Sequence, residues 1–189
     1  MEIRKWNDQI DNTTQNFIDA FGELSAEQLN WKPNAATWSI AQNIDHLIAI
    51  NQTYFYVIDS IRKENYKTPF LAKFGFMVSF FGRIILKAVQ PDRKRKVKTF
   101  PIWEPAKSKI PIGILDRFKE HQSELKIMIE HSKDLMAKGT VISSPANRNI
   151  IYKLETAYEI IVTHEQRHFQ QSKEVFETMK KSVSATHEY

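Results

Sequence analysis

Residues 150–181 place Ile150, Leu154, Ala157, Ile161 and Val175 at alternating steps of three and four or their multiples, the period of one long amphipathic helix. A helix of that length cannot bury its own apolar stripe, so other elements must pack along it. Three further segments supply them. Residues 1–22 carry Ile3, Trp6, Ile10, Phe17 and Phe21 and end at Gly22. A second helix starts near Trp38-Ser39, where Ser39 and Gln42 have capping-box spacing, and continues through Ile40, Ile44, Leu47, Tyr54, Ile58 and Ile61. Ser25 and Gln28 repeat that spacing in a shorter segment. Residues 112–138 carry Phe118, His121, Leu125, Met128 and Leu135 and stop at Gly139.

With only 5 glycines, the chain lacks the turn residues that many short strands require, and no strand pair stands out. The stretch SSPANRN, residues 143–149, reads as a loop. The expected fold is all-α, a four-helix bundle in a single domain over residues 1–181, followed by a polar, frayed tail at 182–189.

Between the second and third long helices lies an insertion of different character. Residues 69–89 are apolar but interrupted by Lys73, Arg83 and Lys87, with Gly75 and Gly82 weakening the helix. This segment is read as a partly buried cover on the bundle, with a membrane-surface segment as the lesser reading, and no transmembrane span is expected. Prolines at 91, 101, 105 and 111 keep the next stretch irregular. The basic run Arg93, Lys94, Arg95, Lys96 and Lys98 holds much of the net charge of +5. Such a run binds phosphates non-specifically, yet no stacking platform or recognition motif accompanies it, so no specific nucleic-acid partner is expected. The start, MEIRKWNDQID, has no apolar leader core, which points to a cytoplasmic protein.

The last helix also carries the chemistry. Continuing its apolar stripe from Leu154 leads through His164 and His168, where further apolar residues would be expected. Side chains four apart on a helix share one face, and two neutral imidazoles so placed can hold one metal ion. Left unpaired, each buried imidazole group would cost about 1–3 kcal/mol. The chain has no cysteine, so thiolate ligands, disulfides and a cysteine nucleophile are all excluded. A third ligand must come from elsewhere. His46, on the second helix near its start, is one candidate, and periodicity alone leaves it open between a ligand and a half-exposed helix residue. His121, on the seam of the third helix, competes as a further ligand, a proton donor or a satisfied core histidine. Glu165, Asp45 and Gln171 are possible supporting residues that orient the imidazoles. No residue is singled out as catalytic.

His164-Glu165-Gln166-Arg167-His168 also spells the HExxH pattern of zinc proteases. Gln171 and Glu174 stand where a metzincin needs Gly and His, and the strands that hold an extended peptide are not evident. A protease is therefore not the reading favoured here.

The stretch Trp38-Ser39-Ile40-Ala41-Gln42-Asn43-Ile44-Asp45-His46-Leu47 resembles the second-helix motif of the DinB-like (YfiT-like) metalloproteins. His164-Glu165-Gln166-Arg167-His168-Phe169-Gln170-Gln171 resembles that family's last-helix motif. The Trp31-Lys32-Pro33 turn and the basic, proline-rich crossover are similar as well. The resemblance implies a four-helix bundle with a three-histidine site of His46, His164 and His168, and homodimers as a common assembly. It further implies a low-molecular-weight thiol as a possible co-substrate, since some relatives are thiol S-transferases; others are isomerases.

Three neutral histidines suit Zn, Ni or Fe and leave coordination positions open, as in a catalytic site. The functional expectation is a divalent-metal-dependent transferase of the thiol S-transferase type, or a hydrolase, acting on a small-molecule substrate. The alternative is a non-catalytic, metal-stabilised binding or interaction protein.

Overall fold

Two capping boxes set the ends of the helices that follow them. In the computed structural model, which describes residues 2–92 and 99–186, helix α1 spans Glu2–Phe21, α2 Ala26–Asn30 and α3 Ile40–Arg62. Ser25 caps α2 and Ser39 caps α3; in each, the serine Oγ accepts from the backbone N–H three residues on, and the Gln side chain there accepts from the serine N–H. Such a cap contributes about 1 kcal/mol. The insertion forms a short 3₁₀ turn, Phe70–Lys73, and then α4, Gly75–Ala88. Helices α5 (Ile114–Glu130) and α6 (Lys133–Ala137), strands β1 (Val141–Ser144) and β2 (Asn147–Lys153), and α7 (Leu154–Thr186) complete the order.

The bundle consists of α1, α3, α5 and α7. Helices α1 and α3 each pack against both α5 and α7, so α1 and α3 occupy opposite corners. Phe17, Phe21 and Phe118 are buried, and Phe169 meets Phe17 edge-on with centroids 5.2 Å apart, joining three helices through aromatic faces. Nearer the other end, Trp6 packs against Tyr158 at 5.5 Å and donates to Glu159 at 2.7 Å.

Three local expectations are corrected. Residues 112–138 are not one helix: the Ser132 hydroxyl turns back to donate to the Met128 carbonyl at 2.7 Å, and the chain breaks between α5 and α6. Arg62 pins the break by donating to the His131 carbonyl and to both oxygens of Asp134. Gly139, with φ of 65°, ends α6 in the left-handed conformation that glycine adopts without strain.

The stretch read as a loop is the turn of an antiparallel hairpin, with Ile142 opposite Tyr152 and Ser143 opposite Ile151. Ile150 therefore belongs to β2, and α7 starts at Leu154 with no intervening loop. The hairpin turns at Pro145-Ala146, which lacks the Asn-Gly or Asp-Gly signature of two-residue turns. Helix α7 also runs through Thr186, beyond Lys181, with Ser182 and Ser184 hydroxyls bonding back to carbonyls of the preceding turn. The basic run at 93–98 and the final residues 187–189 lie outside the described residues.

The insertion covers β2 and α7, as its partly apolar character predicts. Gly82 is a close-approach position: a Cβ there would lie 3.1 Å from Thr156 Cγ2 and 3.5 Å from Tyr152 Cβ. Gly75 has open space around it. Gly82→Val is therefore expected to destabilise the protein by about 1–3 kcal/mol, as overpacking does. Gly75→Ala is expected to be neutral or to stabilise by up to about 1 kcal/mol. Urea denaturation of the two variants checks the contrast, and equal effects would contradict the packing described.

Candidate metal centre

Helices α3 and α7 pack side by side, and this brings His46 of α3 against His164 and His168 of α7. One potential ligand atom from each of the three lies within 4.8 Å of the others. His46 and His168 are buried, and His164 is partly so.

Hydrogen bonds fix how two of the rings are protonated. The capping turn of α3 carries Asn43, whose Nδ2 donates to the Ser39 carbonyl at 2.9 Å. Its Oδ1 is then left facing His168 Nδ1 at 2.7 Å. An amide oxygen only accepts, so His168 Nδ1 carries the proton and Nε2 keeps its lone pair. His46 is set the same way: its Nδ1 lies 2.5 Å from the Trp103 carbonyl oxygen, to which it donates. His164 Nε2 stands 3.0 Å from His168 Nε2. Nitrogens so close fit either one shared proton or one cation between two lone pairs, and the donor set suits a borderline metal ion.

Burial keeps the rings neutral. It pushes His46 down to about 4, against the opposing pull of the Trp103 carbonyl and the Asp45 charge. Burial also holds His164 and His168 well below the ordinary histidine range, with the neighbouring histidines and Arg167 adding to the effect. Trp38 stacks on His168, with centroids 6.0 Å apart and planes at 20°, and lies 4.7 Å from His46.

The three rings line a cavity of about 1700 Å³. Trp38, Trp103, Ile50 and Ile85 supply apolar walls, and Tyr54, Tyr152, Arg167 and Gln171 supply polar ones. The Tyr54 and Tyr152 hydroxyls are 2.8 Å apart. Burial raises Tyr54 to about 12 and holds Tyr152 well above the ordinary tyrosine value, so both phenols stay protonated near neutral pH.

The four supporting candidates make different contacts. Gln171 lines the cavity. Asp45 instead accepts from the Ala106 N–H at 3.0 Å and faces Arg117 at 3.9 Å, tying the crossover to α3. Glu165 points into the bundle, where its two oxygens accept from Asn51 at 2.8 Å and Gln122 at 2.9 Å. Burial raises its carboxyl to about 7. It does not line the cavity, so it is not placed as the general base that the HExxH spelling suggests. His121 is buried and stacked on Phe55, with centroids 5.3 Å apart and planes at 21°, outside the three-histidine group.

Asn43, Trp103, Trp38 and Arg167 were not anticipated as site residues. Asn43 left a trace, as a polar residue one turn before His46 on an otherwise apolar face. The Trp103 contribution is a backbone carbonyl, which has no sequence signature. Arg167 lies between the two histidines of α7, and its Nη1 donates to the Ala88 and Gln90 carbonyls at 3.0 and 3.2 Å.

Comparison with known proteins places this architecture. A family model described as the DinB superfamily matches residues 9–172. Among solved structures, the chain is similar to YfiT from Bacillus subtilis, described as "a probable metal-dependent hydrolase with an unusual four-helix bundle topology". The TM-score is 0.59 at 16% identity, over 94% of this chain and 87% of that one, a likeness of fold. No curated protein matches the chain.

The isolation of His121 has a measurable consequence. Burial, aided by the Arg117 charge, lowers it from 6.5 to about 4. As pH falls, the unfolded chain takes up this proton first, so the stabilising contribution is intact above 6.5 and is lost on the way to about 4. His121→Leu is expected to hold stability at pH 7 to within about 1.5 kcal/mol. It should also flatten the decline over that acid window. Denaturation curves at several pH values check this, and an unchanged slope would contradict it.

Proposed function

The chain belongs to the DinB superfamily, and from that premise we propose that it is a divalent-metal-dependent enzyme acting on a small molecule, with His46, His164 and His168 as the ligands. The observation that carries this reading is the fixed protonation of His46 and His168, whose Nδ1 protons are taken up by Trp103 and Asn43 so that each Nε2 keeps a lone pair. An imidazole with its outer nitrogen so held is pre-organised as a ligand. Three protein ligands leave room for a reactant beside them.

An ion held there would supply Lewis acidity, lowering the pKa of water or of a thiol so that either can act as a nucleophile near neutral pH. The chain's own residues do the rest. Trp38 and Trp103 wall the cavity beside the rings with apolar surface. Tyr54 and Tyr152, both protonated, share one hydrogen bond between their hydroxyls, which leaves the other hydroxyl proton of the pair to offer to an oxygen of a bound substrate. Gln171, which also lines the cavity, offers an amide. Water as nucleophile gives a hydrolase, and a low-molecular-weight thiol gives an S-transferase. The mixed apolar and polar lining suits an organic small molecule in either case. The metal-dependent activity in the description of YfiT agrees with this reading.

Metal analysis of the purified protein is expected to find one equivalent of Zn, Ni or Fe. It should be lost on His46→Ala, His164→Ala or His168→Ala, with the helical spectrum retained. Stoichiometric metal persisting in all three variants would overturn the ligand assignment. Asn43→Ala, which leaves every ligand in place, is expected to weaken metal affinity about 10- to 100-fold. Turnover of ester, amide and thiol-acceptor substrates, with and without added thiol, separates hydrolysis from thiol transfer. Metal binding without turnover of any of them would favour a structural role for the ion.

A further inference from the structure

The outer face of α4 is apolar and uncovered. Its inner side is committed, with Val78 and Gly82 buried on the bundle side. Phe76, Phe80 and Ile84 follow one another at four-residue steps on the other side, 71%, 49% and 46% exposed. The 3₁₀ turn before α4 extends this surface. Phe70 and Phe74 are exposed there, with centroids 5.7 Å apart, and Phe74 lies 6.3 Å from Phe76. Five large apolar side chains in one continuous strip exceed the scattered surface residues that any soluble protein carries.

The charge within this segment has a single sign. No carboxylate occurs between Glu64 and Asp92, while Lys67, Lys73, Arg83 and Lys87 all fall within that stretch. Lys73 Nζ stands over the Phe70 ring at 5.2 Å, so a cation and an aromatic ring occupy the same edge of the patch. Immediately after Asp92 the sequence adds Arg93, Lys94, Arg95, Lys96 and Lys98, outside the described residues.

From this pairing of aromatic and basic groups we propose that the outer face of α4 and the turn before it dock on the surface of an anionic phospholipid bilayer. Phenyl and aliphatic side chains at the acyl boundary, with Lys and Arg at the phosphates, are the division of labour of an interfacial helix. The helix lies on the surface and does not cross it. Its 14 residues rise about 21 Å, short of the roughly 30 Å hydrocarbon core. Among the described residues no helix is long and apolar enough to span a membrane. A second copy of this chain fits the face less well, because a two-fold contact would set this basic patch against itself. Docking would also bring the cavity beside the bilayer, since Ile85, Ala88 and Val89 at the end of the insertion line it.

Co-sedimentation of the full chain with vesicles tests the proposal. Partition onto phosphatidylcholine–phosphatidylserine vesicles is expected to exceed that onto phosphatidylcholine alone by at least about tenfold and to weaken with salt. The double variant Phe76→Ser/Phe80→Ser should lose at least about tenfold in partition while its thermal melt stays that of the wild type. Should that variant not fold, Lys73→Glu/Arg83→Glu, changed at exposed positions, should show the same loss. Absence of binding to the anionic vesicles would overturn the proposal. So would equal binding by the folded double variant, which would assign attraction to the basic run alone. A dimer in sedimentation equilibrium that the aromatic change abolishes, or tight RNA binding that vesicles do not displace, would reassign the face to those partners and overturn it too.

Discussion

Two oxygen atoms that can only accept, the Trp103 carbonyl and Asn43 Oδ1, fix the protonation of His46 and His168 and with it the chemistry open to the cluster. Both depend on the first turn of α3. Ser39 caps that helix, its carbonyl occupies Asn43 Nδ2, and its box partner Gln42 donates to the Ala106 carbonyl at 2.9 Å. Asp45, one turn on, takes the Ala106 N–H. The crossover that delivers Trp103 is interrupted by proline and, among the described residues, has no long helix or sheet ladder of its own. Side-chain bonds from α3, each contributing about 1 kcal/mol, must hold it. Trp103 Nε1 adds a contact to Thr53 Oγ1 at 3.3 Å, and Asn30 and Ile110 exchange two bonds further along. The helix cap and the positioning of the histidines are thus one structure.

Glu165 shows how a sequence pattern and a site can separate. It is the residue after His164, so on a helix it sits about 100° away from that histidine around the axis. Which way it serves depends on what meets it. Here the amides of Asn51 and Gln122 meet both oxygens deep between α3 and α5. Two amide donors offset part of the cost of burying a carboxyl, and among the described residues no cation pairs with it, consistent with the raised carboxyl. The HExxH spelling is therefore compatible with a bundle interior as well as with a peptidase helix, and only the neighbouring helices distinguish them.

What was legible in the sequence follows from periodicity and local chemistry. The first, second and last long helices, both serine capping boxes and the stop at Gly139 are written in spacings of a few residues, and the structure has them, while the third long helix is split into α5 and α6. The histidine pair on α7 was legible because polar residues stood on an apolar stripe. The hairpin was hidden because Pro145-Ala146 gives no turn signature and because Ile150 and Leu154 extend the helical period backwards into β2. The break at Ser132 was hidden because one serine rarely ends a helix without a tertiary partner such as Arg62. Residues that orient the rings were the least visible. Trp103 lies 57 residues from His46 and Asn43 lies 125 from His168, distances at which only the folded chain makes the pairing.

The insertion is attached to the same helix that carries the histidine pair, at two separate points. Gly82 lets α4 approach Thr156, near the start of α7, by shape. Arg167, within the turn between His164 and His168, binds the Ala88 and Gln90 carbonyls at the far end of α4 by charge-assisted hydrogen bonds. The last carbonyls of a helix have no partner within it, so a guanidinium there satisfies groups that burial would otherwise leave unpaired. Hydrogen bonds to a charged group contribute about 1.5–3 kcal/mol each, more than the neutral side-chain contacts that hold the crossover. Moving α4 away from α7 would break these bonds and reopen the close packing at Gly82 together. The insertion therefore behaves as a fixed wall of the cavity, and its position is set by the helical turn that also aims the imidazoles.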